Sequence, residues 1–178
     1  MESLITETRN AFLHWADVPR GLASLRRLRV EFDVDLLDAR LDFGQGSYKT
    51  LLQAACKQGL GASAVALLEA GADFFRMVSS SAAMTSALDY CCVYGQLDAV
   101  QQVAKWLADH AEVRAQMTMD RQRRCLSTCL VGAMTESRRE SGSWEEPQDF
   151  AGCWTELLSL GFGASIMWTA RSSRRRSG

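Results

Sequence analysis

The feature that most constrains the fold is a segment of the chain that occurs twice. Residues 50–59 align with residues 86–95 without a gap, at a shift of 36 positions. The identical pairs in this alignment are Leu52 with Leu88, Cys56 with Cys92, and Gly59 with Gly95. A period of this length is typical of helical repeat proteins, in which each unit buries its apolar face against the next. The sequence therefore predicts stacked pairs of helices.

A turn sequence connects this period to a known family. Residues 67–73 read Leu-Leu-Glu-Ala-Gly-Ala-Asp. They resemble the end of the second helix and the following turn of the ankyrin repeat, whose first helix opens with Thr-Pro-Leu-His-x-Ala. In this chain the Pro position holds Leu51 and Ala87, and the His position holds Gln53 and Asp89. Because the usual start signal is weakened, we expect these helix starts to fray.

Two weaker copies flank the central pair. The segment from Leu13 to Leu28 keeps the internal spacing of the segment from Leu52 to Leu67. Residues 32–35 resemble the turn after a second helix. Downstream, residues 126–130 resemble a first helix, and residues 153–161 resemble a second helix with its closing glycine. The period drifts between copies, which predicts longer connecting fingers.

These copies predict an all-α, ankyrin-like helix–loop–helix solenoid of about four repeats. The domain covers residues 1–168, with a charged insertion at 135–149 in the last repeat and a basic, Ser- and Arg-rich tail at 169–178. The expected repeats lie near residues 11–41, 48–80, 84–117 and 123–165. Another helical solenoid of similar period, or an irregular bundle, is the alternative.

Small side chains are expected where first helices approach each other. Ala55, Cys91 and Cys129 are equivalent in the alignment. Because a free cysteine behaves as a small apolar residue, we interpret these thiols as packing residues. No CxxC motif and no histidine at zinc spacing accompanies them, so no metal, cofactor or catalytic residue is predicted. The glycines predicted to close helices or adopt positive φ are Gly59, Gly71, Gly95 and Gly161.

Composition and charge indicate a folded protein and give no sign of a nucleic-acid or membrane partner. A chain with 47% hydrophobic and 23% charged residues is typical of a folded protein. Its net charge of -1 gives no general attraction to nucleic acid or to a membrane. The first residues lack the apolar core of a secretory signal, so we expect reduced thiols and a cytoplasmic location. The arginines of the tail leave nuclear import open as an alternative.

The ankyrin resemblance implies a non-enzymatic scaffold that binds another protein, as a monomer or as part of a larger assembly. The resemblance places binding at the finger loops and on the concave face of the first helices. The fingers correspond to residues 42–49, 74–84 and 113–124, and the positions expected to face outward are Gln53, Lys57, Asp89 and Tyr94.

The most specific candidate for a partner-binding site lies in the second finger, at Phe75, Arg76 and Met77. Aromatic, Arg and Met side chains are favoured in interface cores, although Phe75 and Met77 could equally fill space beneath a lengthened finger. Trp144 in the insertion is a further candidate, which either anchors a partner or packs back onto the stack.

Two other functions remain open. A cysteine- and histidine-dependent enzyme would place His14 or His110 within hydrogen-bond reach of a thiol or a carboxylate. Cysteines buried between helices would argue against it. An inert spacer fragment of a larger repeat protein would instead show fully packed fingers and no exposed apolar patch.

Overall fold

Helices account for most of the chain that the computed structural model describes, namely residues 1–44, 48–76, 86–136 and 148–162. Those residues form nine helices and one short hairpin. The helices are α1 (Glu2–Leu13), α2 (Val18–Phe32), α3 (Leu51–Lys57), α4 (Gly61–Glu69), α5 (Ala87–Val93), α6 (Leu97–Asp109), α7 (Ala111–Ala115), α8 (Met119–Glu136) and α9 (Phe150–Ser159). The strands are β1 (Leu41–Asp42) and β2 (Tyr48–Lys49). The all-α prediction is confirmed at this level.

The helices contact one another in two rows. In the first row α1, α3, α5 and α8 follow in order, each packed on the next. In the second row α2, α4, α6 and α9 follow in the same order. Each first-row helix also packs against its second-row partner, and the buried apolar side chains form one continuous core between the rows.

The two central pairs start with the same hydrogen-bonded cap. Thr50 Oγ1 accepts from the Gln53 amide at 3.1 Å, and Gln53 Oε1 accepts from the Thr50 amide at 3.0 Å. Ser86 and Asp89 repeat this reciprocal arrangement at 3.4 and 2.9 Å. Such a capping box satisfies amides that a helix start leaves without an intrahelical partner. The expectation that these starts fray is therefore wrong, because Gln53 and Asp89 close the boxes.

The tight turns inside the central pairs connect each pair to the next. Gly59 and Gly95 have φ of 75° and 62°, and Gly71 and Gly161 are also positive, as predicted. A Cβ at Gly59 would lie 2.4 Å from Oε1 of Gln96, in the turn of the following pair. The carbonyl of Gly95 accepts from the Asp149 amide at 3.0 Å, just before α9. The turns of successive pairs are therefore in contact along the rows of helices.

Three of the second-row helices close with a backbone bond from the residue that follows a positive-φ position, and the acceptor lies five residues back after α4 and α9 and six after α2. The amide of Ala72 donates to Leu67 O at 3.0 Å, and the amide of Phe162 donates to Leu157 O at 3.1 Å. After α2 the amide of Val34 donates to Leu28 O at 3.1 Å, with Asp33 at φ 54° where the other copies have glycine. The prediction of a closing turn at residues 32–35 is confirmed.

Two sequence-based boundaries are corrected. Leu13, which the alignment placed near the start of a first helix, is instead the last residue of α1. The shared leucine spacing gave the correct helix order but not the helix ends. The prediction of a finger at residues 113–124 is also wrong, because α7 and the start of α8 occupy most of this segment. Met117 between them is buried, so this connection packs onto the core.

The last pair approaches the third through Gly132 of α8. A Cβ at this position would lie 2.5 Å from the carbonyl oxygen of Val93 and 2.3 Å from Cε1 of Phe150. A backbone oxygen cannot move aside cheaply, so only glycine allows α8 to lie this close to the end of α5.

Replacing Gly132 by alanine tests this contact. Alanine favours a helix by about 1 kcal/mol over glycine, so an unconstrained helix would gain stability. Here we expect overpacking to lower the free energy of unfolding by about 2 kcal/mol. Ser127→Ala, exposed on the same helix, is the matched control and should change stability by less than about 0.5 kcal/mol. Urea denaturation measures both, and a more stable Gly132→Ala protein would contradict the close approach.

Candidate partner-binding surface

A groove of about 810 Å³ lies between α1, α3 and the hairpin. We call it the first-helix groove. Its main lining residues are Arg9 and Leu13 of α1, Phe43 and Lys49 of the hairpin, and Ala54 and Lys57 of α3. The groove is therefore built where the first-row helices meet the first finger.

The hairpin positions Phe43 and Lys49 above the helices. β1 and β2 pair antiparallel, with Leu41 opposite Lys49 and Asp42 opposite Tyr48. The Asp42 carboxylate accepts a hydrogen bond from the Gly44 amide at 2.8 Å, which turns the chain immediately after Phe43. This is the finger that the sequence predicted at residues 42–49.

Cations of the groove lie against aromatic rings. The guanidinium carbon of Arg9 is 5.8 Å from the Phe43 ring centroid, and Lys49 Nζ is 5.9 Å from the same centroid. Lys57 Nζ lies 5.0 Å from the centre of the Tyr94 ring. Cation–π contacts of this kind hold long basic side chains in place without neutralising their charge. The groove thus presents ordered positive charge beside apolar surface.

The positive groups of the groove are close enough to influence one another. Partial burial lowers the pKa of the Lys49 ammonium, and the neighbouring charge of Lys57 lowers the same pKa further. Both effects disfavour the charged form of an amine. A negative group placed between Lys49 and Lys57 would offset the effect of the Lys57 charge and raise the pKa of Lys49 again.

Of the outward positions predicted on the first helices, Lys57 lines the groove, Tyr94 lies beside Lys57, and the other two are buried. Lys57 is exposed and Tyr94 is half-buried, and the structure brings them together. Gln53 and Asp89 are only 1% and 0% exposed, so the expectation that they face a partner is wrong. They point inward because they close the capping boxes, and Gln53 Nε2 also donates to Arg76 O at 2.7 Å.

Phe75 of the second finger lies in a row of aromatic rings. Its ring meets that of Phe74 edge to face at 4.9 Å, and Phe74 stacks on Trp106 at 5.9 Å. The guanidinium carbon of Arg121 lies 4.1 Å from the Phe75 centroid. Phe75 therefore already has two intramolecular partners that tie this finger to α6 and α8. Arg76 beside it is exposed.

Other predicted positions lie outside the described residues. These are Met77 of the second finger, Trp144 with residues 137–147 of the insertion, and the tail at 169–178. Their proposed binding roles stay predictions.

All six cysteines are buried, which agrees with a packing role. Burial raises the pKa of the Cys91 thiol, and so does its hydrogen bond with Cys56 on α3. Burial and a hydrogen bond with Cys129 on α8 raise the pKa of Cys92 in the same way. Burial also raises the pKa of Cys153 to about 12. Buried thiols with raised pKa values are poor nucleophiles because the thiolate is scarce.

The two histidines lie apart from these thiols. His14 is exposed at the rim of the first-helix groove. His110 stacks on Trp106 at 4.1 Å, and its Nδ1 lies 2.8 Å from the Trp106 carbonyl oxygen. Its Nε2 is 3.8 Å from the Glu69 carboxylate, beyond hydrogen-bond distance. Within the described ranges, no group of three His, Cys, Asp or Glu is placed to hold a metal ion.

No family model, no curated protein and no solved structure matches this chain. The functional assignment therefore depends on the geometry of the first-helix groove. None of the helices in the described part of the chain combines the length and apolar character needed to cross a bilayer.

The buried position of Gln53 gives a test that separates a structural residue from a binding residue. Gln53→Ala removes the bonds to the Thr50 amide and the Arg76 carbonyl, and we expect the free energy of unfolding to fall by about 2 kcal/mol. Gln101→Ala, exposed on α6, is the matched control and should change it by less than about 0.5 kcal/mol. Thermal or urea melts compare them, and equal effects would show that Gln53 does not stabilise the α3 start.

Proposed function

We propose that this chain is an ankyrin-like stack of about four helix–loop–helix repeats that binds another protein and performs no chemistry itself. Recurrent local structure supports the repeat. The capping boxes at Thr50 and Ser86, and the positive φ at Gly59 and Gly95, recur at the shift of 36 found in the sequence. Two rows of helices in serial contact are the packing that such a period requires.

The observation that carries the binding proposal is the first-helix groove. It lies between first-row helices and a finger hairpin, which is where the ankyrin resemblance implies partner contacts. Lys57 and Tyr94, both proposed as partner contacts from the sequence, lie beside each other at this surface.

The framework beneath the groove favours binding. The α3 start is fixed by its capping box, and the helix is buried along Leu51–Cys56. Surface groups on a rigid element lose less conformational entropy when a partner is bound. Lys57 therefore extends from a pre-organised base.

The cysteine and histidine chemistry of the alternative function has weaker support. An activated cysteine needs a low pKa and access to substrate, whereas burial raises the pKa of Cys91, Cys92, Cys125 and Cys153. No hydrogen bond joins either imidazole to a thiol within the described residues. These features favour the non-enzymatic proposal.

Site-specific photo-crosslinking tests the binding surface. A benzoylphenylalanine replaces Tyr94 at the first-helix face or, as the matched control, Val30, which is 84% exposed on α2 in the second row. We expect a discrete adduct with a cellular protein from position 94, and its loss when excess unmodified chain competes. Position 30 should give none. Mass spectrometry of the adducts identifies the partner, and equal or uncompeted labelling from both positions would overturn the proposal.

A further inference from the structure

The first-helix groove has a charge that the whole chain does not have. The chain carries 20 basic and 21 acidic residues, which nearly cancel. The described lining of the groove contains Arg9, Lys49 and Lys57 but no Asp or Glu. Positive charge is therefore concentrated in this groove.

The positions of the lysines also show that positive charge is concentrated in the groove. The chain has three lysines, namely Lys49, Lys57 and Lys105. Two of them line the groove, and the third is exposed on α6 of the second row. Asp42 adjoins the groove, and its carboxylate accepts from the Gly44 amide at 2.8 Å and keeps its negative charge, so three cations stand against one neighbouring acid.

The cations are held in place by aromatic rings. Arg9 and Lys49 both lie within 6 Å of the Phe43 centroid, at 5.8 and 5.9 Å, and Lys57 lies 5.0 Å from that of Tyr94. An aromatic ring orients a cation but does not remove its net charge. Lys49 and Lys57 therefore repel each other, and this repulsion adds to burial, which is the larger cause of the lowered pKa of Lys49. An anionic ligand would relieve that repulsion.

The groove has an apolar floor between its basic side chains. Leu13 is 5% exposed and Ala54 is 3% exposed, and Phe43 is half-buried beside them. A ligand that fits must therefore present carboxylates and at least one apolar side chain along a short length. An extended peptide does this over a few residues, since its side chains follow one another about every 3.3 Å.

We propose that the first-helix groove binds an extended acidic segment of a partner protein, with carboxylates at Arg9, Lys49 and Lys57 and an apolar side chain against Leu13 and Phe43. This inference rests on the proposed protein-binding function and names the class of partner. The groove attracts acidic segments by charge and selects among them by the apolar contact.

Nucleic acid is the competing anionic ligand, and the structure favours it less. Nucleic-acid interfaces depend on many phosphate contacts and on a domain with a strong excess of basic charge. The groove offers three cations in a chain of net charge -1. Its apolar floor matches a peptide side chain better than a phosphate backbone.

Three fluorescein-labelled probes distinguish these ligands in anisotropy titrations with the full chain. The first is a peptide of Glu interspersed with Leu, the second replaces each Glu by Gln, and the third is oligothymidylate. We expect the acidic peptide to bind at least about tenfold more tightly than either other probe, and to weaken as salt is raised. Lys57→Glu should weaken its binding about tenfold, whereas the matched charge reversal Lys105→Glu should leave it unchanged.

Acetylation of the wild-type chain gives a second readout that does not depend on variant folding. Mass spectrometry should show that the acidic peptide protects Lys49 and Lys57 from acetylation while Lys105 reacts as before. Binding without this protection would overturn the proposed location.

The remaining outcomes separate the two proposals. Equal binding of the acidic and Gln peptides, or no binding of either, would overturn the proposal that the groove binds an acidic segment. The crosslinking experiment at position 94, with its competition by unmodified chain, would still test the protein-binding function by itself. Tighter binding of oligothymidylate than of the acidic peptide would also overturn the inference.

Discussion

The rest of the structure depends on close packing between neighbouring helices of the first row. Small side chains occupy this interface, where Cys56 of α3 meets Cys91 of α5 and Cys92 of α5 meets Cys129 of α8. Each of these thiols is at most 1% exposed. Larger side chains would force the helices apart, because a close-packed core has no spare volume. Cys56 lies directly before Lys57, so this packing holds the end of α3 that lines the first-helix groove.

Much of this framework could be predicted from residue types and spacing. The shift of 36, the buried thiols and four of the five positive-φ glycines in the described residues all follow from the sequence, because they recur at equivalent positions of the copies. The fifth glycine, Gly44, belongs to the hairpin and was not predicted. Gln53 and Asp89 could also have been assigned correctly. Thr50-x-x-Gln53 is itself a capping-box sequence, although Gln53 also occupies the His position of the ankyrin motif.

The groove could be predicted only in part. Lys57, Tyr94 beside it and the first finger, which contains Phe43, were identified from the sequence, but Arg9 was not. Arg9 lies on α1, which begins well before the segment matched by leucine spacing. Its approach to Phe43 joins residues far apart in the chain, and a local pattern carries no information about such a contact. The same reason explains α7, where burial of Met117 replaces an expected exposed finger.

The packing of the first row can be measured directly by NMR, since selective labelling of the six cysteines gives a simple spectrum. In a nuclear Overhauser experiment we expect cross-peaks between the β-protons of Cys56 and Cys91, and between those of Cys92 and Cys129. No cross-peak should join Cys56 to Cys129, because α5 lies between their helices. A direct contact between Cys56 and Cys129, or the absence of contact between Cys92 and Cys129, would contradict the serial stack on which the groove depends.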